Sequence, residues 1–206
     1  MHVAILVPVK PLASAKTRLR ADIGGGADDL VLAMALDVVA AAKACRAVAE
    51  VALLTSDLRA GRAAALLGAR VLPDVGDGLN AALEAASAAV RQRRSDACVI
   101  AQPADCPSVT AADIAALIGW VDVLGRRVFI SDATGSGTTS LAAPAGYDLD
   151  PQYGIGSCEA HAASGAQRLR GPRWDRAGRD VDTASDLAEA VSIGVGPHTT
   201  AWLRRR

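Results

Sequence analysis

Short aliphatic runs alternate along this chain with longer segments in which alanine and leucine recur at helical spacing. Residues 3–7 are an unbroken apolar run closed by Pro8, the pattern of a buried strand. Residues 29–48 carry apolar positions at helical spacing with no Gly or Pro, and predict a helix. Residues 51–54 predict a strand ending at Thr55-Ser56-Asp57, and residues 58–67 a helix stopped by Gly68. A short strand at 71–72 precedes Pro73, and a helix follows over 79–93. Residues 98–101 predict a strand, and residues 111–123 a helix with Thr110 or Ser108 available as its cap.

The second half is less regular. Residues 128–131 predict a strand, with 141–143 as its returning partner. Residues 148–156 are rich in turn formers, residues 157–164 suit a short helix, and residues 168–178 have no clear assignment. Residues 179–182 predict a last short strand, and Thr183 with Asp186 has the spacing of an N-cap pair for a helix over 184–192. Strands alternating with helices imply βαβ units: an α/β fold with a mostly parallel central sheet flanked by helices, in one domain over residues 1–206. Ligands in such sheets sit beyond the carboxyl ends of the strands. That rule selects the loops at 8–18, 55–57, 73–80 and 102–107.

Charge narrows the function classes. Lys plus Arg number 22 and Asp plus Glu number 22, so no global field favours nucleic acid or an anionic membrane. Aromatic residues make up 3%, too few for a base-stacking platform. No apolar stretch approaches the ~20 residues of a membrane span. The N-terminal run lacks a basic flank and reads as a first strand rather than a signal peptide. Cys45, Cys98, Cys106 and Cys158 are widely spaced without a C-x-x-C pair, which suits a reducing cytoplasm better than a disulfide frame or zinc site. The terminal Arg204-Arg205-Arg206 run reads as a frayed, solvated tail.

Lysine usage points to the chemistry. Only three of the 22 basic residues are lysine, and Lys10 and Lys16 share the loop after the first strand, with Arg18 beside them. A compact ammonium is a mobile point charge suited to phosphates, whereas a guanidinium imposes a planar fork. The alternative is an ordinary basic surface loop. Neither the Walker A glycines nor G-x-G-x-x-G is present there. Asp105 follows a strand between Pro103 and Pro107, placed either to hold Mg²⁺ on nucleotide phosphates or to cap the next helix. Asp180 and Asp182, if on a strand, face the same side, so Asp182 either shares a metal with Asp105 or assists the helix start. Asn80 has the donor and acceptor that base reading needs, or belongs to a helix start at Asp77 or Gly78. Two small-residue stretches, Gly135-Ser136-Gly137-Thr138-Thr139 and Tyr153-Gly154-Ile155-Gly156-Ser157, are either hairpin turns or a second anion pocket. In the latter reading Ser157 caps a helix whose amides grip the anion, with His161 on the same face.

Taken in order over about residues 3–199, these pieces resemble one family, the 2-phospho-L-lactate/phosphoenolpyruvate guanylyltransferases of coenzyme F(420) biosynthesis, within the MobA-like nucleotidyltransferases. The resembling segments are Pro8-Val9-Lys10, Ser14 to Leu19, Gly78 to Leu83, Ala104-Asp105-Cys106-Pro107, Asp132 with Gly135 to Thr138, Tyr153 to Ser157 with His161, and Asp180-Val181-Asp182-Thr183. The resemblance implies a Rossmann-like, GT-A-like nucleotidyltransferase fold. It implies transfer of GMP from GTP to the phosphate of a small phosphorylated three-carbon acid, phosphoenolpyruvate favoured or 2-phospho-L-lactate, with release of pyrophosphate. It implies Mg²⁺ on Asp105 and Asp182, and nucleotide phosphates on Lys16 and Lys10. Thr138, Gly154 and Ser157 fall in the acceptor pocket, and the product passes to a downstream transferase. Cys106 stands where leucine is usual and Tyr153 where phenylalanine is usual. Two other readings stay open: another MobA-like enzyme acting on a sugar phosphate or molybdopterin, and a nucleotide-binding module without turnover.

Overall fold

A computed structural model describes residues 2–74 and 78–205. Asp77, one of the two positions considered for the helix start, lies outside the described residues. The strands are β1 (His2–Pro8), β2 (Glu50–Leu54), β3 (Arg70–Leu72), β4 (Ala97–Ala101), β5 (Val128–Ser131), β6 (Thr138–Ala143) and β7 (Gln167–Leu169). The helices are α1 (Thr17–Ile23), α2 (Ala27–Ala44), α3 (Leu58–Leu66), α4 (Leu79–Arg93), α5 (Ala111–Leu124), α6 (Ser157–Ala163), α7 (Ala184–Ile193) and α8 (Pro197–Leu203). One sheet joins the strands in the order β3-β2-β1-β4-β6-β5-β7. β1, β2, β3 and β4 run parallel, as do β5 and β7, while β6 is antiparallel to both its neighbours.

β1 shows why an unbroken apolar run becomes a central strand. Val3, Ile5 and Val7 enter the core on one side of the sheet, with Leu30, Met34 and Val38 of α2 and Ile114 and Leu117 of α5. Ala4 and Leu6 enter the core on the other side, with Leu83, Ala86 and Val90 of α4. Both faces are covered, so alternation with polar residues is absent. The small strand residues Ala4, Ala52, Ala97 and Ala101 are fully buried and let α4 approach closely.

Several expectations need correction. The helix expected over 29–48 runs Ala27–Ala44 and stops where Cys45 turns extended. Gly24 and Gly26 both have positive φ (71° and 89°), so the glycines at 24–26 make a tight reversal between α1 and α2. The unassigned stretch holds β7 and a 3-10 turn at Pro172–Trp174. Residues 179–182 form no strand: they are an irregular segment bonded to the loop that follows β4. Before the arginine tail comes a helix the hydrophobic pattern did not reveal, α8. Its N-terminus is capped at long range by Asp37 of α2, which accepts from the N–H groups of His198 (2.8 Å) and Thr199 (2.9 Å).

Candidate active site

The chain leaves β1 toward β2 and β3, then returns to place β4 on the other side of β1. The carboxyl ends of β1 and β4 therefore diverge, and a cleft of about 660 Å³ opens there. Its lining includes Pro8 to Lys10, Ser14 to Arg18, Asp74, Gly78, Pro103 to Asp105 and Asp182. Three of the four loops selected from the strand pattern thus meet at one opening. The fourth contributes through Asp57, whose carboxylate accepts from the N–H of Leu12 at 2.9 Å and also caps α3 through Arg59 and Ala60. Leu12 is buried, and Arg20 ties the same loop through the Ala15 carbonyl at 2.9 Å. The lysine loop is therefore braced by side chains at its middle and its end. Lys10 and Arg18 are exposed at the rim.

Lys16 begins α1 in the left-handed backbone region (φ 56°, ψ 55°), a conformation that non-glycine residues seldom adopt and that clusters at functional sites. Its Nζ contacts the carboxylates of both Asp105 and Asp182. Asp182 arrives by a backbone bond: the Val181 N–H donates to the Asp105 carbonyl at 2.9 Å. Burial lowers the Lys16 pKa, but the Asp105 carboxylate, helped by Asp182, outweighs it and holds the ammonium above its ordinary value. Asp180 faces the opposite balance. Burial, then the negative charge of Asp105, pushes it up to about 6. Burial and the Asp105 and Asp180 carboxylates also keep the Cys106 thiol protonated, 3.8 Å from Asp105 Oδ1.

The expected metal pair, Asp105 and Asp182, is thus brought together on one positive charge. Among the described residues no group of three or more Asp, Glu, His or Cys gathers tightly enough to form a complete metal cage. The two carboxylates present fit magnesium, which is commonly held by one or two carboxylates plus substrate phosphates. The donors are all hard oxygens, and one cation already satisfies both. The capping alternatives fall away. Thr110 caps α5 in a capping box with Asp113, and Thr183 caps α7 with Asp186.

The second set of residues is assembled differently from expectation. Asn80, like Thr138, Gly154 and Ser157, is not among the residues that line the cleft; its amide donates to the Tyr153 carbonyl (3.0 Å) and accepts from the Tyr153 N–H (2.9 Å). It braces the 150s loop. Ser157 is not the cap of α6: Gly156 occupies that position with φ 73°. The first amides of α6 are also taken, Ser157 N–H by Gly154, Cys158 N–H by Ser136 and Glu159 N–H by Gly156. An amide nest for an anion is therefore not available at this helix. Ser157 is a mostly buried residue, and its hydroxyl makes no hydrogen bond with the described residues. Gly154 adopts φ 145° at the exposed tip of the loop. His161 is fully buried and bridges Thr138 Oγ1 (2.9 Å) and the Gln152 N–H (2.8 Å). Tyr153 places its hydroxyl on the Thr139 carbonyl at 3.2 Å, so the oxygen that phenylalanine lacks has a partner. Asp57 and Asn80 act as braces that sequence reasoning missed; the signal for Asp57 was an Asp just ahead of a helical stretch.

A doubly wound sheet with a lysine loop at its switch point and two carboxylates facing it defines a nucleotidyltransferase. A solved structure from Desulfovibrio desulfuricans G20 shares the fold with a TM-score of 0.74 at 19% identity, covering 100% of this chain and 95% of that one. A nucleotidyl transferase from Methanothermobacter thermautotroptrophicus gives a TM-score of 0.60 at 18% identity, over 100% and 99%. Sequence carries the match further. A family model described as guanylyl transferase CofC like matches residues 3–206, and the chain belongs to that family. It is 46% identical to the phosphoenolpyruvate guanylyltransferase of Streptomyces coelicolor over 100% of this chain and 97% of that protein. It is 45% identical to the phosphoenolpyruvate guanylyltransferase of Streptomyces avermitilis, over 100% and 95%.

Proposed function

We propose that this enzyme transfers GMP from GTP to the phosphate of phosphoenolpyruvate, releasing pyrophosphate, as a step of coenzyme F(420) biosynthesis. The observation that carries the chemistry is the convergence of Lys16, Asp105 and Asp182 at the mouth of the β1/β4 cleft. The choice of acceptor and nucleotide is supported by the full-length relatives, each named phosphoenolpyruvate guanylyltransferase.

The acceptor supplies its own nucleophile. A phosphate monoester has a second pKa near 6, so its oxygen is ionised at neutral pH and needs no protein base. That oxygen attacks the α-phosphorus of GTP, the new P–O bond forms, and the bond to the β-phosphate oxygen breaks with its electron pair leaving on pyrophosphate. The protein's task is to hold two polyanions together and to stabilise the departing charge. Lys16 and Lys10 serve the nucleotide phosphates, with Arg18 at the rim. Asp105 and Asp182 would hold magnesium, which when bound would neutralise phosphate charge. Thr138, Gly154 and Ser157 receive the acceptor. The guanylylated acid is an activated donor for a downstream transferase. Four free cysteines, all buried, suit reaction in the cytoplasm. Nothing favours a sugar-phosphate, molybdopterin or non-catalytic reading over this one.

The test is incubation with Mg²⁺, each nucleoside triphosphate in turn, and phosphoenolpyruvate, 2-phospholactate or a phosphoglycerate, followed by mass spectrometry. The expected product is the guanylylated phosphoenolpyruvate with one pyrophosphate per turnover. An adduct formed only with another acid, or only with another nucleotide, would overturn the assignment.

A further inference from the structure

We propose that His161 is a positioning residue that fixes the direction of the Thr138 hydroxyl, so that its proton is presented to an anionic oxygen of the acceptor. The inference rests on the reading of Thr138 as part of the acceptor pocket, and goes beyond it by naming what orients that group.

The reasoning starts from a donor that cannot be reversed. His161 Nε2 lies 2.8 Å from the backbone nitrogen of Gln152. A backbone N–H only donates, so Nε2 is the bare, accepting nitrogen. A neutral imidazole then carries its proton on Nδ1. Nδ1 lies 2.9 Å from Thr138 Oγ1, so the ring donates and the threonine oxygen accepts. One lone pair of the hydroxyl is thereby occupied, and its own proton is barred from the imidazole. That proton has no other acceptor among the described residues. A threonine hydroxyl normally rotates to suit its surroundings; this one is left as a donor in search of an acceptor.

The ring is held in place to do this. It is fully buried, with Phe129 at 5.7 Å and Tyr153 edge-on at 5.2 Å between centroids. Asn80 grips the next backbone group, at Tyr153, so the loop bearing Gly154 and Ser157 is fastened at two consecutive amides. His161 thus links the start of β6 to that loop through both ring nitrogens. An apolar side chain of similar size could fill the space but could make neither bond.

Three measurements on the full chain test this. Nitrogen NMR of histidine-labelled protein, with His161 assigned by its loss in His161→Gln, is expected to show the neutral form protonated on Nδ1. A proton on Nε2 would overturn the orientation. For Thr138→Val, the KM for phosphoenolpyruvate is expected to rise about tenfold or more while the KM for GTP stays within about twofold, since hydrogen bonds to charged groups contribute about 1.5–3 kcal/mol. No change in the acceptor KM would overturn the proposal at its foundation, the pocket reading. A raised acceptor KM with the proton on Nε2 would leave that reading standing and remove the role of His161 alone. For His161→Gln, the acceptor KM is expected to rise by the same order with kcat and the GTP KM within about twofold. Equal losses toward both substrates would mark the residue as merely structural and sink the proposal.

Discussion

The Val181 N–H donates to the carbonyl of Asp105 at 2.9 Å, and this one backbone bond joins the segment before α7 to the loop that follows β4. Its consequence is chemical. Asp182, the next residue, is carried to the same ammonium that Asp105 contacts. Without Lys16 or a metal ion, two carboxylates so close would repel.

In the proposed reading, Lys16 and a divalent cation compete for the same two carboxylates. Lys16→Met is expected to bind Mn²⁺ more tightly than the wild type in the absence of nucleotide, and to lose turnover in its presence. Electron paramagnetic resonance of free Mn²⁺ checks the first outcome; weaker binding would contradict it. The ion pair also sets a pH dependence. Because the folded-state pKa of Lys16 is raised, its contribution is full below about 10.4, the ordinary lysine value, and is lost as pH rises through the higher folded value. Melting temperature above about pH 10.4 should therefore fall more steeply for the wild type than for Lys16→Met.

Asn80→Ala separates bracing from base reading. Both polar groups of the half-buried Tyr153 backbone lose their partner, at about 0.5–1.5 kcal/mol for each bond. The expected result is a lower melting temperature and a higher acceptor KM, with the preference for GTP over ATP unchanged. A collapse of that preference would return Asn80 to the nucleotide.

Asp57→Ala frees the middle of the lysine loop. Loss of an N-cap costs about 0.5–2 kcal/mol, and here the Leu12 bond goes with it. The GTP KM should rise while the acceptor KM holds; an effect confined to stability would show that the brace is irrelevant to binding. Hydrogen bonds from Ala60, against burial and with further bonds from Leu12 and Arg59, keep the Asp57 pKa below its ordinary value. Its contribution is thus present above about pH 3.9 and lost as pH falls through the lowered folded value.

Ser157→Ala removes the one hydroxyl that the loop offers to the acceptor in the proposed reading. Acceptor binding should weaken with GTP affinity little changed, read by KM for each substrate. Matched losses would mean that the acceptor and nucleotide sites are not separate.

Much of this was legible in the sequence because the first half obeys local rules. Apolar runs such as residues 3–7 and 98–101 read as buried strands, and the loops beyond their carboxyl ends line the cleft; the strand order that sets the switch point between β1 and β4 came only with the structure. Lys16 and Asp105 stood out because each flanks such a strand. Asp182 was visible as a residue but not as geometry. The segment carrying it forms no strand, and its position depends on a bond to Asp105 from across the chain. The same holds for α8, whose cap is supplied by Asp37, and for Asn80, whose partners lie 73 residues away. Ser157 was misplaced by one residue because Gly156, free to adopt positive φ, took the cap. Long-range hydrogen bonds leave no periodic trace in a sequence.

The most direct measurement is pyrophosphate release by Asp105→Asn with GTP, Mg²⁺ and phosphoenolpyruvate, beside a melting curve to show that the fold persists. Removing a principal charge-stabilising contact typically lowers turnover by ~10²–10³. A loss of that size in a folded protein is the expected result. A variant that keeps more than about a tenth of wild-type turnover would contradict the assignment of Asp105, because so small a loss lies outside the range for such a contact.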